Sequence, residues 1–254
     1  MTDRSALLAL CHRIGDPSLD LVIAAEGNIS ARSGAGTFTI KASGCALHTM
    51  GDDRLVEVRT GTLLALLDHP DVDDERTAAA YRDARVDGAA PMPSVEAILH
   101  AVLYDRTDAQ VVVHTHPTAV NAILCSVSAP MLVAGPLFPD QVVVLGPHQL
   151  LVPYVDPGVP LARAVRESID DFMATHGAAP RVVYLANHGM FVLASSPDEA
   201  VHITLMAVKA ARILSGAIAA GGAVRLPEAQ VARIESRPDE HVRRRMLSDD
   251  REMR

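Results

Sequence analysis

Cysteine is scarce in this sequence. The three cysteines, Cys11, Cys45 and Cys125, are odd in number, far apart and without a CxxC pair. A disulfide framework needs paired cysteines and a thiolate metal site needs clustered ones, so the sequence favours neither. We expect ordinary half-buried thiols, and a metal would need other ligands.

An excess of positive charge is also missing. Lys and Arg total 23 against 31 Asp and Glu, which gives a formal net charge of -8 and a pI near 5.7. This balance argues against a broad nucleic-acid surface, although a local basic pocket can still accept a small anion. We therefore expect no nucleic-acid partner.

A long hydrophobic run is missing from the start of the chain. The apolar segment within MTDRSALLALCHRIGDPS is soon interrupted by His12, Arg13 and Asp16, and it is too short for a signal or membrane helix. The expectation is a cytoplasmic protein with no membrane partner.

The composition is that of a folded globular protein, with 49% hydrophobic and 21% charged residues. The chain of 254 residues can bury a large core and no linker divides it, so a single domain over residues 1–254 is predicted. Residues 225–254 alternate Arg with Asp and Glu, which predicts a charged C-terminal extension that is either solvated or packed on a neighbouring subunit.

Helix-like and strand-like segments mix along the chain. Helical spacing is found in SALLALCHRI, VEAILHAVLY, VPLARAVRESIDDFMATHG and SPDEAVHITLMAVKAARIL, and Ser94 is expected to cap the second of these. Short apolar runs predict strands in GTFTIKASG, AQVVVHTHP, MLVAGP, QVVVLGP and both halves of PRVVYLANHGMFVLA. The pattern of residues 68–92 predicts a surface segment that contains a short helix.

The motif HTHP places His114 and His116 two residues apart at the end of a strand-like run. Side chains alternate faces along a strand, so the two imidazoles point the same way and can bind one metal ion. Alone the motif is weak, because hydrogen-bonded core histidines are commoner. The candidate third ligand is His188 in ANHGM, where Gly189 allows a tight turn. Three histidines would leave one zinc position open.

A carboxylate and an anion pocket are predicted beside these histidines. Glu96 in PSVEAILH suits the positive end of a helix, but could equally be a surface charge. The turns EGNIS and KASG expose backbone N–H groups that can hold an anion, and Lys41 or Ser43 could add a charge or hydroxyl. Each turn alone is commonly only a turn. Together with Ser94 they predict a phosphate or carboxylate pocket.

The order GNIS, KASG, PSVE, HTHP and NHGM resembles the class II aldolase/adducin family over about residues 20–210. The chain looks similar to L-fuculose- and L-rhamnulose-phosphate aldolases. This resemblance implies a three-layer α/β/α fold with a central, largely antiparallel sheet. It also implies a homotetramer with sites at the subunit interfaces.

The resemblance implies a role for each matching residue. His114, His116 and His188 would bind a divalent metal, with zinc expected first and manganese or cobalt as alternatives. Glu96 would be the acid/base residue and could touch the metal in the resting enzyme. The residues expected to hold the substrate phosphate are Asn28, Ser43, Gly44 and Ser94.

The reaction implied is metal-dependent retro-aldol cleavage of a ketose phosphate or a related sugar acid. A metal held by three imidazoles can stabilise the enediolate that forms when a carbon–carbon bond breaks. A sugar-phosphate epimerase, dehydratase or decarboxylase would use the same metal site, and a non-catalytic adducin-like interaction domain is the alternative without metal. No glycine-rich nucleotide motif occurs, so NAD is not expected.

Some residues depart from the family pattern. Val95 replaces the second serine of the family's PSSE motif, and Lys41 with Ala42 stands where Thr-Pro is common. The family's tyrosine from the adjoining subunit has only Tyr154 as a weak candidate. His100 lies four residues after Glu96 and could hydrogen-bond to it or simply pack.

Overall fold

The computed structural model describes residues 2–237. The strands are β1 (Asn28–Gly34), β2 (Thr37–Lys41), β3 (Leu55–Arg59), β4 (Val111–Thr115), β5 (Leu150–Val152), β6 (Val182–Leu185) and β7 (Gly189–Ala194). The helices are α1 (Arg4–Ile14), α2 (Thr60–Leu64), α3 (Asp74–Ala84), α4 (Ala97–Arg106), α5 (Thr118–Leu124), α6 (Pro139–Leu145), α7 (Val159–His176), α8 (Pro197–Ala219) and α9 (Glu228–Glu235). Short 3-10 helices span Pro17–Leu19, Asp52–Arg54 and Ala129–Leu132.

The strands form one seven-stranded sheet in the order β3-β2-β1-β4-β7-β6-β5. Every neighbouring pair is antiparallel except β5 and β6, which are parallel. The predicted central, largely antiparallel sheet is therefore confirmed. Its central strand, β4, is buried at every position because both faces are covered, which explains its run of valines.

Two apolar clusters cover the two faces of the sheet and produce the three predicted layers. Val111 and Val113 of β4 pack in a cluster with side chains from α1, α5, α6 and α8. Val112, which points to the opposite face, packs in a second cluster with side chains from α2, α3, α4 and α7. Since residues alternate along a strand, His114 shares the face of Val112 and looks toward α4.

Helix α8 is long and apolar enough to cross a membrane by length and composition alone. In this fold it packs against α1, α5, α6, β4 and β7. Its buried side chains belong to the cluster around Val111 and Val113. A core helix covered on several sides accounts for this composition.

Two predicted strands are helices. MLVAGP contributes to the 3-10 helix Ala129–Leu132, and QVVVLGP contributes to α6, which begins at Pro139. Residues Gln141–Leu145 are all buried. A helix that is buried on all sides has no polar face, so its sequence shows no helical period and resembles a buried strand. Prolines in the first turns, Pro130 and Pro139, fit helix starts because no intrahelical N–H is needed there.

The predicted cap of α4 is also wrong. Ser94 donates its N–H to the Lys41 carbonyl at 3.0 Å, beside a bridge between Ala42 and Pro93, so it belongs to the sheet edge. The helix begins at Ala97, and Glu96 takes the N-cap position rather than the first turn. Tyr81 of α3 supplies the capping oxygen instead, since its hydroxyl accepts the Ile98 N–H at 3.2 Å.

The remaining expectations concern the thiols and the chain end. Cys45 is half-buried as expected, whereas Cys11 is buried and Cys125 is exposed. The first part of the predicted C-terminal extension contains α9. Residues 238–254 of that extension lie outside the described part of the chain.

Candidate active site

The three predicted metal-ligating histidines converge at the end of β4. His114 is the fourth residue of this strand, His116 follows the strand, and His188 lies in the turn between β6 and β7. Each offers one ring nitrogen, and these nitrogens all lie within 4.8 Å of one another. The Nε2 atoms of His114 and His116 are 2.9 Å apart. The antiparallel pairing of β4 with β7 therefore assembles ligands that are distant in sequence.

The orientation of His114 is fixed by its neighbours. Its Nδ1 lies 3.0 Å from the main-chain carbonyl oxygen of Met190 in β7. A carbonyl only accepts, so Nδ1 carries a proton, and Nε2 is the ring atom that faces the cluster and would bind a metal. The Phe191 ring stacks on the imidazole with 4.2 Å between centroids, and the side chain of His114 is fully buried.

Gly189 allows the close approach of the turn to the other ligands. A Cβ at this position would lie 2.5 Å from Cδ2 of His116 and 2.6 Å from the Thr115 carbonyl oxygen. Both distances are shorter than van der Waals contact, so a larger residue would displace the histidine or the strand. The requirement for glycine here is one of space around the ligand.

Glu96 lies against the histidine cluster. Its Oε1 is 3.1 Å from Nε2 of His188, and its Oε2 is 3.2 Å from Nε2 of His114. Burial by itself raises the pKa of Glu96, but the contacts with His114 and His188 outweigh burial and hold this pKa well below its usual range. The carboxylate is therefore ionised at neutral pH.

The donor set fits a divalent metal. Burial lowers the pKa of His116 to about 3, and His114 and His188 act in the same direction. A neutral imidazole has the free lone pair that a metal requires. Three imidazole nitrogens beside one carboxylate are the ligand types found around zinc, and manganese and cobalt accept the same types.

The residues predicted to hold phosphate fall into two groups. Asn28 and Ser94 are buried beside Glu96: the Asn28 amide donates to Glu96 Oε2 at 2.6 Å, and the Ser94 hydroxyl accepts the Glu96 N–H at 3.4 Å. Ser43 and Gly44 form an exposed turn after β2, held next to Ser94 by the bridge between Ala42 and Pro93. The structure thus places Asn28 and Ser94 in contact with Glu96, and Ser43 and Gly44 near Ser94. The role of all four toward phosphate stays a prediction.

Of two further candidates, Lys41 is placed differently from the expectation, and the role suggested for Tyr154 stays a prediction. Lys41 is buried and its Nζ donates to the carbonyl oxygens of Ala25 and Gly27 at 2.8 and 3.0 Å, so it holds the loop before β1. Burial lowers the pKa of Lys41. Tyr154 is 57% exposed, and its hydroxyl donates to the Asp156 carboxylate at 3.2 Å.

His100 is the residue whose connection to the site the sequence did not reveal. Its side chain does not bond directly to the Glu96 carboxylate, because Asn28 stands between them: His100 Nε2 lies 2.5 Å from Asn28 Oδ1. A signal was present in the helix EAILHAVLY, where polar residues recur every fourth position among apolar ones. That spacing places Glu96, His100 and Tyr104 in line along one face.

Comparison with known proteins agrees with this geometry. The model of the class II aldolase and adducin N-terminal domain family matches residues 5–215. The chain belongs to this family. Among solved structures it is similar to YgbL of Klebsiella pneumoniae, with a TM-score of 0.69 and 23% identity over 92% of this chain and 99% of that one. It is also similar to the L-fuculose-1-phosphate aldolase of Thermus thermophilus, with a TM-score of 0.61 and 20% identity over 87% and 100% of the chains. These likenesses concern the fold.

Similar curated proteins include a 3-oxo-tetronate 4-phosphate decarboxylase of Cupriavidus necator, which is 38% identical over 127 residues, or 48% of this chain and 55% of that protein. The oxidoreductase YuxG of Bacillus subtilis is 24% identical over 173 residues, which are 68% of this chain. The aligned part is only 22% of YuxG. The chain thus covers part of each of these two relatives.

Proposed function

We propose that this class II aldolase-family chain is a metal-dependent carbon–carbon lyase that cleaves a ketose phosphate, or a related sugar acid, by a retro-aldol reaction. The observation that carries the proposal is the cluster of three histidine nitrogens, two of which contact the carboxylate of Glu96. His114, His116 and His188 would hold the metal, with zinc proposed and manganese or cobalt as alternatives. A bound divalent cation supplies a Lewis acid that stabilises negative charge developing on a substrate oxygen.

Glu96 is the residue proposed to move protons. When the carbon–carbon bond breaks, the electron pair remains on the carbon next to the carbonyl, and that carbon must take up a proton. The substrate hydroxyl that becomes the aldehyde releases a proton as the bond breaks, so the reaction consumes no net proton. The ionised Glu96 would take up a proton and deliver it to that carbon, and would remove it in the reverse reaction. Asn28 keeps Glu96 in place through its amide N–H.

The exposed turn of Ser43 and Gly44 beside Ser94 is proposed to bind the phosphate. Gly44 has a φ of +75°, and open space surrounds the position that a Cβ would occupy. The Ser43 N–H already donates to the Met92 carbonyl oxygen at 2.9 Å, so the Ser43 hydroxyl and the Gly44 N–H would be the donors to the anion. Binding the phosphate remote from the reacting carbon would fix the orientation of the substrate.

A cytoplasmic homotetramer is part of the proposal. Val95, directly before Glu96, is 71% exposed, and Ile23, whose N–H donates to the Glu26 carboxylate, is 72% exposed. Glu26 in turn lies 3.8 Å from His116, so apolar side chains stand at the rim of the site. A neighbouring subunit covering this rim would remove them from water. Light scattering on the purified protein measures the subunit number.

Decarboxylation of a 3-oxo sugar acid phosphate is the second candidate. It is favoured by the similarity to the Cupriavidus decarboxylase, which is 38% identical over the aligned 127 residues. The chemistry at the carbon next to the carbonyl would be the same, because carbon dioxide instead of an aldehyde leaves and that carbon then accepts a proton, which in this case comes from solvent. Glu96 would serve both reactions.

The test is product analysis with two substrate classes. Zinc-loaded protein is incubated with L-fuculose 1-phosphate and L-rhamnulose 1-phosphate, and separately with 3-oxo-tetronate 4-phosphate, with Glu96→Gln as the matched control. Dihydroxyacetone phosphate with an aldehyde supports the aldolase, and carbon dioxide release supports the decarboxylase. Metal-loaded, folded protein that acts on neither substrate class would overturn the proposed lyase function. A Glu96→Gln variant that is as active as the wild type would overturn the proposed role of Glu96 in proton transfer.

A further inference from the structure

A row of buried hydrogen bonds extends from Glu96 into the interior. Asn28 Nδ2 lies 2.6 Å from Glu96 Oε2, and Asn28 Oδ1 lies 2.5 Å from His100 Nε2. His100 Nδ1 is 2.6 Å from the Ser30 hydroxyl, which is 2.8 Å from the Tyr104 hydroxyl. The row thus leads from the edge of the metal cluster into the buried layer between the sheet and α4.

Two sequence periods produce this row. Asn28 and Ser30 are two apart on β1 and point to the same face of the sheet. His100 and Tyr104 are four apart on α4 and point to the same face of the helix. The helix lies over the strand, so His100 contacts both Asn28 and Ser30, and Tyr104 contacts Ser30. Asn28 is also the register partner of His114, which places the row next to the metal ligands.

The direction of every bond in the row follows from the carboxylate end. The ionised Glu96 only accepts, so the Asn28 amide nitrogen must donate to it, and this leaves Asn28 Oδ1 facing His100. An amide oxygen also only accepts, so His100 Nε2 must carry a proton. If the ring is neutral, Nδ1 accepts from Ser30, and Ser30 then accepts from Tyr104.

The surroundings of His100 keep its ring neutral. The side chain is fully buried, between Phe38 at 6.4 Å and Phe191 at 5.4 Å between ring centroids. Burial lowers the pKa of His100 to about 3, and the Coulombic effect of His114 acts in the same direction. A pure packing role would leave the ring nitrogens without a function, whereas here both are hydrogen-bonded.

We propose that His100 is a positioning residue, which fixes the orientation of the Asn28 amide and thereby keeps a hydrogen-bond donor on Glu96. The opposite amide orientation would direct Oδ1 against the Glu96 carboxylate and Nδ2 against the donor on His100, with two repulsive contacts in a buried site. His100 therefore holds the Asn28 amide in the orientation that presents Nδ2 to the Glu96 carboxylate. The inference rests on the proposed function, in which Glu96 transfers the proton.

The tautomer of His100 tests the bond directions without any activity measurement. Histidine-selective ¹⁵N NMR of the wild-type protein, with and without zinc, is expected to show a neutral His100 with its proton on Nε2. Ser30→Ala, which removes the donor to Nδ1, should weaken this preference. A proton on Nδ1, or an imidazolium at neutral pH, would overturn the inference even in a protein that cleaves its substrate.

Three variants separate positioning from packing. His100→Gln keeps an amide donor near the place of Nε2, whereas His100→Asn reaches only the place of Nδ1; His48→Gln, on the exposed surface, is the control. We expect His100→Asn to lower kcat about 10- to 100-fold, the range for residues that orient a site from outside it. KM and zinc content should be unchanged, and His100→Gln should restore most of kcat.

Equal loss of kcat in the Gln and Asn variants, measured per folded molecule, would contradict the positioning role. Loss of zinc or a raised KM as the main effect would do the same. The proposed function fails differently: wild-type protein would then bind no metal or turn over neither substrate class, while the Nε2–H tautomer of His100 would still be observed.

Discussion

His114 and Met190 are joined by a hydrogen bond of 3.0 Å from a ring Nδ1–H to a main-chain carbonyl oxygen of the neighbouring strand. The backbone of β7 therefore fixes a proton on Nδ1 of His114. A backbone carbonyl is less easily lost to substitution than a side-chain partner, and it holds Nε2 toward His116 and Glu96. The orientation of this ring therefore does not depend on a bound metal.

The first prediction concerns metal content. Elemental analysis of purified protein should find about one divalent ion per chain, and His114→Ala and His188→Ala should each lose it, because two remaining imidazoles make a much weaker site. His48→Ala, at an exposed position, should retain the ion. Retention of the metal in His114→Ala would disprove the assignment of this ligand.

Removal of the Glu96 charge is expected to affect chemistry more than metal binding. Glu96→Gln should lower kcat about 10²- to 10⁴-fold, the contribution of a positioned acid/base group. The Asn28 contact can persist, since the glutamine carbonyl still accepts, so the fold should remain. Steady-state kinetics with parallel metal analysis measure both. Glu75→Gln in the first turn of α3 is the control and should behave as wild type.

A matched pair of glycine substitutions tests the spatial requirement at the turn. Gly189→Ala places a Cβ 2.5 Å from His116 and should destabilise the protein by about 1–3 kcal/mol while weakening metal affinity. Gly216→Ala within α8 meets no atom within 4 Å and should stabilise the helix by about 0.5–1 kcal/mol. Thermal unfolding with and without zinc records both changes. Tight metal binding by Gly189→Ala would be inconsistent with this role.

The three cysteines should differ in reactivity. Burial raises the pKa of Cys11 to about 12, so at pH 8 its thiol is almost entirely protonated as well as shielded. Cys125 is exposed and should react first. Iodoacetamide labelling followed by peptide mass spectrometry should modify Cys125 and leave Cys11 unlabelled until the protein unfolds. Early labelling of Cys11 in the folded protein would argue against its burial.

The fold was predictable from sequence wherever the hydrophobic pattern agreed with the glycines and prolines that mark turns and helix ends. The apolar run of β4, the long amphipathic α7 and the glycine turn between β6 and β7 all appear where the pattern placed them. The prediction was wrong for α6, because a short helix buried on all sides shows no period. It was also wrong for the cap of α4, whose capping oxygen comes from Tyr81, a residue of a different helix.

The site was predictable to the extent that its residues belong to short motifs. His114, His116, His188 and Glu96 each occupy a recognisable turn or strand end, and the structure brings them together. Lys41 carried a charge that the sequence suggested for an anion, yet its ammonium is used by two carbonyl groups of the adjacent loop. The acceptors to which a lysine donates depend on the three-dimensional course of nearby loops, and the local sequence does not predict that course.

The distribution of the ligands over β4 and the β6–β7 turn also bears on how the protein folds. No short stretch of chain holds all three histidines, so a complete chelate exists only after β4 and β7 have paired across a long loop. A metal ion would then stabilise a sheet that has already formed and would not nucleate its formation. We expect zinc to slow unfolding far more than it accelerates refolding, a difference that stopped-flow kinetics can resolve.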